Sequence, residues 1–175
     1  MSRSKSLPIF YGLGALLLII VSCRKDLIAP SDAIAPDKIT SWYLSNVEVT
    51  QENPFSRLVP DWGNTFVSED SAKRIYEIRL KNPEKLISIR SMPSPDQIEQ
   101  QQKSHEIKLL VFEDKKSGKI LYGAYMSLES RENIINCRFH YRQLSGFNGS
   151  VIYYHFDGRL SNGWTFENGS VKKSI

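Results

Sequence analysis

From Asn64 onward the chain is written in short segments of period two, and that alternation restricts the fold more than anything else in the sequence. The segments are "NTFVSED", "KRIYEIRL", "KLISIRS", "EIKLLVFED", "KILYGAYMSL", "NCRFHYRQL", "SVIYYHFD" and "GWTFEN". They are rich in β-branched and aromatic residues and are bounded by Gly, Pro, Asn, Asp and Ser, the pattern of strands joined by tight turns. Turn signals recur at "KKSGK", "SGFNGS", "FDGR" and "ENGS". Asp157-Gly158 and Asn168-Gly169 in the last two favour primed hairpin turns. Strand after strand with short connections predicts an antiparallel meander.

Ahead of the strands, "PDKITSWYLSN" places Ile39, Trp42 and Tyr43 at i, i+3 and i+4, an apolar stripe for one short helix. Pro36 suits its first turn and Asn46 its end. The expected fold class is therefore α+β, with one short N-terminal helix packed on a curved antiparallel β-meander. One excursion interrupts the strands, "SMPSPDQIEQQQKSHE", where Ser94-Pro95-Asp96-Gln97 matches a capping box. Ile98 is the only apolar anchor after it, so residues 92–104 are expected as an exposed loop.

The first 30 residues follow a different rule. Arg3 and Lys5 precede an uncharged run from Leu7 to Val21 that carries Pro8, Gly12 and Gly14. A membrane-spanning helix needs about 20 apolar residues, so this shorter run reads as the apolar region of a signal peptide. The junction Ile20-Val21-Ser22-Cys23 resembles the lipobox of bacterial lipoproteins. The resemblance implies cleavage before Cys23, a diacylglycerol thioether on that cysteine and an acylated amino terminus. More than one acyl chain anchors a protein stably where one binds marginally. "SCRKD" further resembles the start of mature Bacteroidota lipoproteins, whose signals for surface export usually carry several acids; here Asp26 is the only one. The implied address is the cell envelope, at the periplasmic or surface face of the outer membrane.

The domain map expected from these signals is a signal peptide over 1–22, a lipidated cysteine and flexible tether over 23–36, and one domain over 37–175. Loss of the leader removes two basic residues and no acids. The basic count falls from 23 to 21 against 19 acids, leaving +2 of the original +4. Acids and bases alternate, as in "FEDKKSGK", rather than forming a basic stripe, which argues against nucleic acid.

No Walker, dinucleotide, G-x-S-x-G or H-E-x-x-H pattern occurs. Cys137 is left without a disulfide partner once Cys23 is acylated, and it reads as a small buried hydrophobe. His140, three residues on, would face the other way along a strand. With a turn at Gly146-Phe147-Asn148-Gly149, "NCRFHYRQL" and "SVIYYHFD" pair as a hairpin. That register sets His140 opposite His155, Arg138 opposite Asp157 and Arg142 opposite Tyr153, with Phe139, Tyr141, Tyr154 and Phe156 on the other face. His140, His155, Arg138, Arg142 and Asp157 are accordingly the candidate ligand-binding residues. The flanking arginines suit an anion better than a metal, and no metal or cofactor is expected beyond the lipid on Cys23.

Trp62 and Trp164, both near turns, are candidates for sugar stacking against a default of ordinary packing. Asp70-Ser71-Ala72 resembles the Bacteroidota O-glycosylation sequon, which makes Ser71 a candidate acceptor. The stretch from Tyr153 to Gly169 is similar to one MORN-type hairpin and is read as a hairpin only. The function expected is non-catalytic binding of a protein, peptide or glycan by a membrane-anchored envelope lipoprotein. The alternatives are an envelope hydrolase using His140, His155 and Asp157, or an inhibitor or immunity-type lipoprotein.

Overall fold

The alternating segments form one antiparallel sheet in which each strand pairs with the next in the chain. The computed structural model describes residues 31–33, 35–82, 104–130, 132, 134 and 139–175. The leader, Cys23, the "KLISIRS" segment, loop residues 92–103, Cys137 and Arg138 lie outside these described residues. Within them run β1 (Ser31–Ala33), α1 (Asp37–Asn46), a 3-10 turn (Pro54–Arg57), β2 (Val59–Glu69), β3 (Lys73–Lys81) and β4 (His105–Asp114). Then follow β5 (Ile120–Ser130), β6 (Gly149–His155), β7 (Leu160–Glu167) and β8 (Ser170–Ser174). The eight strands lie in sequence order from β1 to β8. The described part is thus a mostly-β meander with one helix. No helix among the described residues is long and apolar enough to cross a membrane.

α1 forms where its stripe predicts. Ile39 and Tyr43 are buried on the sheet, and Trp42 packs on Phe156 with ring centroids 5.1 Å apart. Pro36 stands at the N-cap, where its missing N–H costs nothing, and Asp37 in the first turn complements the helix dipole. Lys38 reaches from this helix to the carboxylate of Glu113. That buried acid also accepts the Tyr76 hydroxyl at 3.0 Å and lies 3.3 Å from Arg74 Nη1, so the helix is fastened to β3 and β4.

The central strands are buried on both faces. On the helix side Tyr76, Ile78, Leu80, Ile107, Leu109, Val111 and Tyr125 pack with Ile39, Tyr43, Phe55 and Leu58. On the other side Ile75, Leu110, Phe112, Met126, Leu128 and Val151 pack with Ile134 and Phe147. Burial on both faces explains why "IKLLVF" in β4 is almost continuously apolar instead of alternating.

Four expectations change. Ser31–Ala33, expected within the tether, pairs with β2 through Ser31 to Val67 and Ala33 to Thr65. β8 was not expected, because "SVKKS" is exposed along its whole length and shows no apolar alternation. It is set by the turn before it: Asn168 and Gly169 take φ of 50° and 77°, the primed geometry that returns the chain beside β7. The expected primed turn at Asp157-Gly158 is instead a three-residue loop. Only Gly158 has positive φ, at 88°, and His155 bonds both Gly158 and Arg159 across it.

The fourth change matters most. "NCRFHYRQL" is not the partner of β6. β5 is that partner, with Leu128 opposite Val151, Met126 opposite Tyr153 and Ala124 opposite His155. Residues 139–148 instead fold over the sheet face in successive turns. His140 and Gln143 exchange backbone hydrogen bonds at 3.1 and 2.8 Å, and Phe147 N–H donates to Leu144 O at 3.0 Å. Phe147, expected at an exposed hairpin tip, is fully buried between Phe139 at 5.0 Å and Phe166 at 6.0 Å. Burying a phenylalanine is worth a few kcal/mol, which a solvated hairpin tip forfeits. Gly149 then opens β6, where any Cβ would meet the Glu129 carbonyl at 2.1 Å. Phe147→Ala is expected to cost about 3–5 kcal/mol of stability in urea unfolding. A loss below about 1 kcal/mol would contradict this packing.

Candidate functional site

The predicted histidine cluster does not assemble. Its two histidines lie on the same side of the sheet but far apart, His140 above β2 and β3 and His155 at the end of β6. The His140 ring stacks on Phe66 of β2, with centroids 3.4 Å apart and planes 12° from parallel. Its Nδ1 lies 3.2 Å from Glu77 Oε2 on β3. A carboxylate accepts only, so Nδ1 carries the hydrogen. His155 ends β6, opposite Ala124 and exposed. The sheet order puts β3 and β6 three strand spacings apart, about 14 Å. Asp157 sits in the turn beyond β6 and binds its near neighbour Arg159, through the backbone N–H at 3.0 Å and Nε at 2.8 Å. These bonds hold its carboxyl below the usual range, the Arg159 amide foremost. Ser71 is exposed in the β2–β3 turn. Among the described residues no group of three or more His, Cys, Asp and Glu side chains is placed to hold a metal.

Of the described residues of the predicted cluster, Arg142 lines a cleft, and the candidate Trp164 lines it too. The curled sheet from β4 to β8 and the segment 139–148 enclose a cleft of about 780 Å³. Its floor is a chain of rings. Tyr122 stacks on Phe112 at 4.5 Å, Tyr141 meets Phe112 edge-on at 5.6 Å and Tyr153 at 6.0 Å, and Tyr153 meets Trp164 at 5.8 Å. Leu110, Leu144, Phe166 and Val171 fill in the apolar surface. Ser145, Ser161, Asn162 and Asn168 supply a polar rim, and among the described lining residues Arg142 is the only charged one. Edge-to-face ring contacts hold such a chain rigid and leave aromatic faces for a ligand.

Arg142 is held in an unusual way. It has φ of 64°, in the third position of the turn from His140 to Gln143, where glycine or asparagine is usual. Its Nη1 donates to Asp70 Oδ2 at 3.1 Å, and its guanidinium lies 5.0 Å from the Tyr141 ring centroid. Asp70 is anchored in turn, because its Oδ1 accepts the amides of Ala72 and Lys73 at 2.9 and 2.7 Å. Those amides, with Arg142, hold the Asp70 carboxyl below its ordinary range. Burial chiefly pushes the Tyr153 phenol up, with Tyr141 and Glu77 adding to it, so it is a neutral hydroxyl at working pH.

Sequence reasoning named Trp164 and Arg142 and missed Tyr122, Tyr141 and Tyr153. Tyr141 had been placed in the core face of the wrong hairpin. Of the two tryptophans, Trp62 packs edge-on against Tyr43 at 5.4 Å on the helix side. The available signal was the density of tyrosines in segments already rich in core residues.

A serine–histidine contact lies on the opposite face, with His105 Nε2 2.8 Å from Ser127 Oγ. Ser127 is buried, so this pair is a packing contact. Burial pushes the His105 imidazole down to about 4. The unfolded chain therefore takes up a proton near pH 6.5 that the folded chain refuses. Stability is fully present above pH 6.5 and falls as the pH drops toward 4. Between pH 6.5 and 5 the loss is expected to reach about 2 kcal/mol, and His105→Gln should remove it. Equal pH dependence in the two proteins would contradict this burial.

Comparison with protein-family models, with curated proteins and with solved structures finds no match to the chain.

Proposed function

We propose that the protein is a lipid-anchored binding module of the bacterial cell envelope, with the ring-lined cleft as its ligand site. The anchor reading rests on the sequence Ile20-Val21-Ser22-Cys23 and on the basic and apolar regions before it. In this reading residues 1–22 are a signal helix removed on export, and Cys23 carries diacylglycerol and an N-acyl chain. A tether shorter than first expected then leads to the meander, since pairing with β2 already begins at Ser31. The observation that carries the binding reading is the chain of five rings from Tyr122 to Trp164, partly open to solvent and rimmed by amides and hydroxyls. Concave, mostly apolar sites with a few convergent polar groups are where proteins take small ligands.

The hydrolase alternative loses its support, because His140, His155 and Asp157 are each engaged or exposed at separate places. An inhibitor or immunity-type role would use loops, and no particular feature of the described loops favours it. An O-linked glycan on Ser71 fits the same extracytoplasmic address, and intact-mass analysis of the native chain tests it.

Two measurements test the proposal. Radiolabelled palmitate should enter the wild-type chain in a lipoprotein-processing host and be absent from Cys23→Ala; labelling of both, or of neither, would remove the anchor. The mature chain should be retained on immobilised fractions of native envelope saccharide or peptide. Trp164→Ala with Tyr153→Ala should abolish that retention, while His155→Ala should leave it unchanged. Retention that survives the double substitution would move the site elsewhere.

A further inference from the structure

We propose that the cleft takes an acidic oligosaccharide, its sugar faces lying on the aromatic floor and a carboxylate meeting Arg142. This rests on the reading of the cleft as the ligand site and names the ligand class. The floor offers ring faces, which match the C–H faces of pyranoses, and the exposed rim offers side-chain amides and hydroxyls of Asn162, Asn168 and Ser161 to sugar hydroxyls. A lipid tail has no use for that rim. A quaternary ammonium, the other common ligand of aromatic cages, is opposed by the charge present. Arg142 is the only charged group among the described lining residues, and Lys73 stands beside the floor, its Nζ 5.3 Å from the Tyr122 ring centroid and 3.3 Å from the Tyr122 hydroxyl.

Asp70 is the acid nearest Arg142, and it is already occupied. One oxygen accepts two backbone amides and the other accepts a single guanidinium nitrogen, so Asp70 fixes the direction of Arg142 and leaves further N–H edges of the fork. A planar carboxylate matches such an edge better than it matches an ammonium. A non-glycine residue at positive φ costs about 1–2 kcal/mol, and an asparagine there would relieve it. The Arg142 side chain at that position is 62% exposed at the cleft wall, where a ligand can reach it.

Calorimetric titration of the mature chain tests the proposal with four saccharides and a peptide. The saccharides are trigalacturonate, a hyaluronan tetrasaccharide and the carboxyl-reduced form of each; the peptide is tetraglutamate. Wild type, Arg142→Asn and Trp164→Ala are compared, asparagine being chosen because it suits the positive φ and keeps the turn. At least one acidic saccharide should bind about tenfold or more tighter than its reduced form, a preference that shrinks with added salt. Arg142→Asn should erase that preference and keep the weaker neutral binding, and Trp164→Ala should weaken both about tenfold or more. Equal binding of acidic and reduced forms, or a preference indifferent to Arg142→Asn, overturns the acidic ligand and leaves the cleft as a sugar site. Trp164-dependent binding of tetraglutamate alone overturns the saccharide and keeps the site. No Trp164-dependent heat from any probe overturns the proposal together with the binding reading beneath it.

Discussion

The carboxylate of Glu77 is the point on which the cleft side of the sheet depends. It is 2% exposed at the middle of β3, where an unpaired charge would be intolerable. Three partners converge on it: the Tyr141 amide at 2.9 Å, His140 Nδ1 at 3.2 Å and the Lys108 ammonium at 3.5 Å. Lys108, also buried on β4 at 5% exposed, donates to Phe139 O. Among the described residues, every partner of this pair outside the strands comes from the segment 139–148. A buried ion pair contributes little net stability, yet removal of one member costs several kcal/mol because the other is stranded. The segment is therefore locked to one position, and the choice of that position is what the charge pair specifies.

From that lock the remaining features follow. With His140 and Tyr141 fixed over β3, the chain turns through Arg142 and Gln143 and delivers Phe147 into the second core. Tyr141 is then left standing between Phe112 and Tyr153, where it closes the row of rings. The opposite face has its own fastening, in which Glu113 gathers Lys38, Arg74 and Tyr76 beneath α1. Each face of the sheet thus carries one buried acid that ties a covering segment to β3 and β4, one beneath the helix and one beneath the loop. The helix side is packed with Ile39, Tyr43, Phe55 and Leu58. The loop side is covered over β3 to β5 and open toward β7 and β8, and the cleft occupies that opening.

Much of the fold was legible because it depends on local signals. The Ile39–Trp42–Tyr43 stripe, the period-two segments and the Asn168-Gly169 turn each act within a few residues. The candidate site was less legible, for two physical reasons. "NCRFHYRQL" alternates as a strand does, but its alternation is satisfied by tertiary contacts: Phe139 and Tyr141 pack on the second core, while His140 goes to Phe66 and Glu77. And Phe147, embedded in Gly146, Asn148 and Gly149, has the neighbours of a turn and the burial of a core residue. An apolar ring amid turn formers was the warning that the expected tip was wrong. Nothing local marks Glu77 and Lys108 as a buried pair, since "YEIRL" and "EIKLL" read as ordinary strands with a charged outer face. Their burial depends on a segment more than 30 residues farther along the chain for Lys108 and more than 60 for Glu77.

The central claim is that function resides in the ring-lined cleft and not at the histidines. Amide and indole chemical shifts of the mature chain, followed while a binding saccharide is added, locate the site directly. The account predicts that the Trp164 indole and the amides of Tyr141, Arg142, Asn162 and Asn168 move together and saturate at one affinity. Shifts concentrated at His155, Asp157 and Arg159, with the Trp164 indole unmoved, would contradict it.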